Sequence, residues 1–129
     1  MDDLLDTMPF ARHLGIELEA ANRDEVRARL AWAQNLCTSD GVLHGGVVMA
    51  LADTAGALCA FLNLPEGAST STIESKTNFF RAVREDHVEA TSRPLHVGRS
   101  TIVVQTDVID GAGKRVAQVT QTQAVLVGA

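Results

Sequence analysis

The sequence predicts an α+β domain in which one long central helix is wrapped by a curved antiparallel sheet of five or six strands. Three observations carry this. The first is the run from Val47 to Leu62, which is rich in Ala, Leu and Met, has no proline, and holds Asp53 as its only charged residue. Such a run forms a helix of about four turns, and a helix apolar on all sides has to be covered. A membrane span needs ~20 apolar residues; this run is shorter and has a carboxylate in its middle, so the covering is protein. The second observation is a pair of short alternating segments before the helix, and the third is four long extended segments after it. A curved sheet is the layer that can close over so wide an apolar surface.

The elements follow in order. Asp2 to His13 mixes Leu4, Leu5, Met8 and Phe10 with acidic residues and reads as one or two short helices, broken near Pro9. Gly15 allows a turn into Ile16-Glu17-Leu18-Glu19-Ala20, which alternates as a half-buried strand does. Asn22-Arg23-Asp24 is a turn, and Val26, Ala28 and Leu30 alternate with Arg27 and Arg29 to complete a hairpin. Trp32 to Asp40 keeps neither period and is expected to be the loop leading into the helix. Beyond the helix, Asn63-Leu64-Pro65-Glu66-Gly67 is a breaker cluster. Extended segments then span about 69–81, 86–98, 100–110 and 114–127, rich in Thr, Val and Ile. Gly98-Arg99-Ser100 and Asp110-Gly111-Ala112-Gly113 are hairpin turns. Pro94 cannot donate to a ladder, so it belongs at a bulge or an edge. With no repeats or linkers, residues 1–129 are expected to form one domain.

Composition narrows the function classes. Hydrophobic content is 46% and charged content 21%, ordinary for a globular protein. Net charge is −5, with four Arg and Lys against ten Asp and Glu in residues 1–73 and seven against six in residues 74–129. Tyrosine is absent, there is one tryptophan, and no basic stripe appears, so no nucleic-acid partner is expected. Cys37 and Cys59 lack metal or disulfide spacing, and Cys59 falls in the apolar helix, which fits a reducing cytoplasm. The acidic stretch from Met1 to Asp6 does not resemble an export signal. No His-x-x-x-His, Cys-x-x-Cys or carboxylate cluster suggests a metal, and there is no Gly-x-Ser-x-Gly elbow.

The candidate site centres on Asp53. An ionised Asp in an apolar helix needs a reason: it is either a structural group bonded to a hydroxyl such as Thr54, or a carboxylate poised as base or nucleophile. Gly45 and Gly46 leave the first helical turn without side chains. Free N–H groups there, with the positive end of the helix dipole, form an anion or oxyanion site; otherwise the pair marks only a tight turn. Asp53 lies eight residues beyond Gly45, roughly 12 Å along a helix. A base acts within hydrogen-bond reach or through one water. If the two groups serve one site, they must therefore come from two chains, as in a two-fold dimer with antiparallel helices.

His44-Gly45-Gly46 followed by Leu51-Ala52-Asp53-Thr54-Ala55 resembles the signature of hotdog-fold acyl-CoA thioesterases, nearest the phenylacetate-degradation (PaaI-like) subgroup. Asn78-Phe79-Phe80-Arg81 resembles that family's Asn-Phe-Leu-Arg-Pro strand, with Ala82 in place of the proline, and the likeness runs from Phe10 to Val127. The resemblance implies a hotdog fold and hydrolysis of an acyl-CoA with a medium-chain or aromatic acyl group. CoA is then part of the substrate, so no separate cofactor is expected. It implies a homodimer, commonly paired into a homotetramer. It also implies that the Gly45 N–H polarises the thioester carbonyl while Asp53 activates water or attacks directly. Thr72 matches a strand hydroxyl that positions the water, and His44 shapes the turn or touches the thioester. Thr38, Gly46, Asn78, Arg81 and Arg84 are the candidate substrate contacts, the arginines toward coenzyme phosphates, with Lys76 and Arg99 as further candidates. One position departs: six residues before His44, relatives carry Asn or Gln, and here stands Thr38, with Asn35 three residues earlier. Two rival readings remain. One is an acyl-CoA-binding module without turnover, which Thr38 favours and Asp53 disfavours. The other is a hydratase or dehydratase, which needs a His beside a carboxylate, whereas His44 lies two turns from Asp53.

Overall fold

A computed structural model describes residues 3–128. Two short helices, α1 (Asp3–Asp6) and α2 (Pro9–Leu14), precede a hairpin of β1 (Glu17–Ala21) and β2 (Val26–Ala31). The long helix α3 (Gly45–Leu62) follows, and then β3 (Ser69–Phe79), β4 (His87–Val97), β5 (Thr101–Asp110) and β6 (Arg115–Leu126). The six strands form one antiparallel sheet in the order β1-β2-β4-β5-β6-β3. This is the expected helix-in-sheet architecture. Pro9 opens α2, where a missing N–H is tolerated, and Gly15 closes it at φ 84°.

The segment read as a loop, Trp32 to Asp40, is more ordered than its lack of period suggests. It contains two 3-10 turns, Gln34–Leu36 and Ser39–Gly41. The Trp32 indole N–H donates to the Gly41 carbonyl at 3.0 Å, and the Thr38 N–H donates to that of Val42 at 2.8 Å. These bonds pin the approach to α3. The helix itself starts at Gly45, two residues before the apolar run, because the glycine pair forms its first turn. Its far end is tied down by Asn63, whose Nδ2 donates to the carbonyls of Cys59 and Arg23, each at 2.9 Å.

Val48, Leu51, Ala52, Ala55, Leu58 and Cys59 point from α3 into the core. They meet alternating residues of the sheet such as Val26, Ala28, Leu30, Val88, Ile102 and Val104. Each fully buried aliphatic side chain contributes roughly 1.5–3 kcal/mol. Cys59 is a free thiol in this layer, and burial pushes its pKa up to about 11. The ladder between β4 and β5 slips between Pro94 and His96, and β2 pairs with β4 only as far as Ser92. Pro94 thus sits beside a bulge on a stretch of β4 with one open side, as its missing donor requires.

The sheet does not cover α3 on all sides. Gly46, Met49, Asp53 and Phe61 form an exposed stripe along the helix, with Ala50 and Ala57 half-buried between them. By length and composition α3 could span a membrane, but half of it is core of this fold. Beyond the stripe lies β3, an edge strand of the sheet, eleven residues long and exposed along most of its length. Ile73 is 60% exposed and Phe79 51%. A long open edge next to an apolar helix face is an unfinished surface.

Candidate active site

The first part of the site is the N-terminus of α3. His44 is its N-cap, with an extended backbone (φ −60°, ψ 132°), and its Nδ1 accepts the Gly46 N–H at 2.8 Å. A side chain at Gly46 would strike the His44 ring, so glycine is needed for this cap. The Gly46 N–H is therefore engaged with His44, while the Gly45 N–H makes no hydrogen bond among the described residues. The unspent N–H at this helix end is that of Gly45. The Phe79 ring packs on Gly45, where a Cβ would lie 3.3 Å from its Cζ. Thr38, Gly45 and Arg81 line one cavity of about 220 Å³, walled by Leu43, Val48 and Val83. Thr38, the position that departs from the family pattern, is thus brought beside Gly45.

The second part is Asp53, exposed on the open stripe of α3. Thr54 does not hold it: the Thr54 hydroxyl donates to the Ala50 carbonyl at 2.8 Å. The partner of Asp53 is Gln121 on β6, whose Nε2 donates to Oδ1 at 3.3 Å. Although the residue is exposed, its carboxyl is partly desolvated by the apolar helix and sheet beside it, which raises its pKa above 3.8, and the Gln121 bond opposes this.

Gln121 and Gln123 are both buried, at inward positions of β6. The Gln123 Nε2 donates to Thr72 Oγ1 at 2.7 Å, and its Oε1 accepts from Thr70 Oγ1 at 3.1 Å. Thr72 makes no hydrogen bond to Asp53, since their glutamine partners lie two residues apart along β6. Reading the sequence missed both glutamines as site residues. The signal was present, because Val119 and Val125 share an inward phase that also carries positions 121 and 123.

The remaining candidates lie further out. Arg81 and Arg84 line a polar groove of about 430 Å³ with Glu85, Asp86, Asp110 and Gly111. The Lys114 and Ala112 N–H groups, aided by the Arg81 charge, hold the Asp110 carboxyl below its usual value. Asn78 is exposed on β3, opposite Gln118, and does not line the cavity at Gly45. Lys76 and Arg99 are exposed, and Arg99 lines a separate open groove with Arg23 and Asn63. An apolar cavity of about 440 Å³ opens one turn beyond Asp53, between α1 and α3, lined by Leu4, Met8, Ala57, Leu58 and Phe61. Within one chain the two halves of the site stay apart, since α3 is continuous and Gly45 and Asp53 occupy positions two turns apart on it.

The fold that carries these groups, one long helix against a six-stranded antiparallel sheet, is matched by known proteins. The pattern of the thioesterase superfamily matches residues 40–117. The proofreading thioesterase EntH of Cronobacter turicensis is 30% identical over 106 residues, which cover 82% of this chain and 77% of EntH. The structure of thioesterase HI1161 from Haemophilus influenzae superposes with a TM-score of 0.87 at 34% identity, covering 92% of this chain and 82% of that one. The PaaI protein of Escherichia coli shares the fold, with a TM-score of 0.88 at 21% identity over 99% of this chain and 91% of its own. The chain belongs to the thioesterase superfamily. It is a hotdog-fold thioester hydrolase.

Proposed function

We propose that this hydrolase cleaves acyl-CoA thioesters with medium-chain or aromatic acyl groups, at two sites shared across a two-fold dimer. The observation that carries the proposal is the split site on α3. The free Gly45 N–H and the Asp53 carboxylate are the two groups thioester hydrolysis needs, and on one chain they lie roughly 12 Å apart. Antiparallel packing of two α3 helices along their exposed stripes would bring each Asp53 to the partner subunit's Gly45. Such packing would also cover Met49 and Phe61, and the open edges of two β3 strands would pair alongside. Dimers of this kind could pair again into tetramers.

In this reading the thioester carbonyl sits at Gly45, where its developing negative charge meets the N–H and the positive end of the helix dipole. Asp53 either deprotonates a water for attack or attacks the carbonyl itself, and CoA leaves as the thiol. His44 holds the first turn, and Thr72 stands ready on β3 to orient a water. The apolar cavity beyond Asp53 has the volume and lining for a medium-chain or aromatic acyl group. Arg81 and Arg84 supply positive charge for coenzyme phosphates at the polar groove. The reducing cytoplasm, where CoA esters are handled, suits the two free cysteines. Release of free thiol from acetyl-, octanoyl-, palmitoyl- and phenylacetyl-CoA tests the assignment. Turnover of the octanoyl or phenylacetyl ester above the others is expected. Tight binding without thiol release would favour the non-catalytic reading that Thr38 suggests.

Thr38 itself is open to a gain of function. A Thr38→Asn or Thr38→Gln variant places an amide in the cavity at Gly45. One added hydrogen bond to substrate or water is worth ~0.5–1.5 kcal/mol, about a two- to tenfold rise in turnover. A fall in kcat for both variants would mean that this pocket is built around the hydroxyl.

A further inference from the structure

We propose that Gln121 is a positioning residue for Asp53, and that position 56 is glycine so that the Gln121 side chain can reach it. The inference rests on the catalytic role proposed for Asp53. Gln121 is 0% exposed on the face of the sheet toward α3, and the one hydrogen bond of its side chain among the described residues runs from Nε2 to Asp53 Oδ1 at 3.3 Å. Its Oε1 is buried with no hydrogen-bond partner there. Packing alone does not call for this residue, because methionine would fill much the same volume without leaving a buried acceptor unpaired. Gln123, two residues on, shows the contrast: both ends of its amide are bonded, to Thr72 and Thr70.

Gly56 is the second unfavourable choice at the same spot. It is buried in the interior of α3, where glycine weakens a helix relative to alanine. A Cβ at position 56 would overlap the Gln121 amide oxygen. A mid-helix glycine and an underpaired buried amide thus meet at one point, and both are accounted for if the amide serves the carboxylate. Asp53 stands on an exposed helix face where its side chain is otherwise free to turn. The bond to Oδ1 fixes its rotamer, favours the ionised form, and leaves Oδ2 for the reacting water or carbonyl.

The test uses Gln121→Met, Gln121→Glu and Gly56→Ala in the full chain, with kcat, KM, the pH profile of kcat/KM and the thermal midpoint read for each. Gln121→Met should lose roughly ten- to hundredfold in kcat, the scale of one hydrogen bond to a charged group, with KM little changed. Its acid limb should move up while its midpoint stays level or rises. Gln121→Glu sets a second carboxylate against Asp53 and should move the acid limb further in the same direction. Gly56→Ala should lower kcat in the natural background and have no further effect in a Gln121→Ala background, since it acts through the amide. A Gln121→Met enzyme with unchanged kcat and pH profile but a lower midpoint would overturn the proposal, leaving a merely structural glutamine. If Asp53→Asn still abolishes turnover in that event, the role of Asp53 stands. An active Asp53→Asn enzyme would remove both.

Discussion

Asp53→Asn is expected to keep the fold and the affinity for acyl-CoA while losing ~10²–10⁴ of turnover, the scale of a lost catalytic carboxylate. The swap is nearly isosteric, and the amide oxygen can still accept the Gln121 bond, so packing around α3 should persist. Stability should change in a way that identifies the residue. The Asp53 pKa is raised in the folded protein above 3.8, chiefly by burial. Below 3.8 the group is neutral folded and unfolded alike, so Asp and Asn should be equally stable there. As pH rises from that value through the folded pKa, the natural protein pays for a desolvated charge that Asn lacks. The Asn variant should therefore become the more stable of the two toward neutral pH. For the same reason the acid limb of hydrolysis should lie above the ordinary carboxylate range. Thiol release, a binding isotherm on an acyl-CoA, and melting curves at several pH values check all three. Undiminished hydrolysis would return Asp53 to a structural role.

Gly45→Pro is expected to cost ~10²–10³ in kcat with the helix intact, as removal of one oxyanion donor does. Gly45 is the first residue of α3, a position where proline is favoured because its missing N–H has no partner in the helix. His44 already has the extended backbone that a residue before proline prefers, with ψ at 132°. The ring must fit beside Phe79, whose Cζ would lie 3.3 Å from a Cβ at this position; that side chain is half-exposed and has room to give. The substitution thus removes one N–H and little else. Far-ultraviolet dichroism and the thermal midpoint should stay near those of the natural protein. Full activity with the N–H gone would mean that the carbonyl is polarised elsewhere.

Much of the fold was legible because its signals are local. The β1–β2 hairpin shows in Val26, Ala28 and Leu30 against Arg27 and Arg29, and the β5–β6 turn in Asp110-Gly111-Ala112-Gly113. The breaker around Pro65 marks the end of α3. What was not legible follows from patterns that carry no phase. Val47 to Leu62 is apolar nearly throughout, so the 3.6-residue period cannot say which side the sheet covers, and only Asp53 hints at the open stripe. Within the candidate site, the glycine pair, Asp53 and their separation were readable from spacing. The division of labour between Gly46, bonded to His44, and the free Gly45 was not, because it depends on a histidine rotamer. Gln121 and Gln123 were hidden for another reason. Glutamine reads as a surface residue, and its inward phase on β6 appears only when the valines on either side are counted with it.

The central claim is that one site is built from two chains, and mixing two inactive variants tests it directly. Asp53→Asn and Gly45→Pro proteins are unfolded together, refolded in equal amounts and assayed for thiol release. In a mixed dimer the Gly45 of one chain faces the Asp53 of the other, so one of its two sites has both natural groups. Random pairing should then restore about a quarter of natural activity per chain, from two preparations that are each nearly inactive. Activity that stays at the level of the separate variants, in a mixture shown by mass to contain mixed dimers, would contradict the shared site.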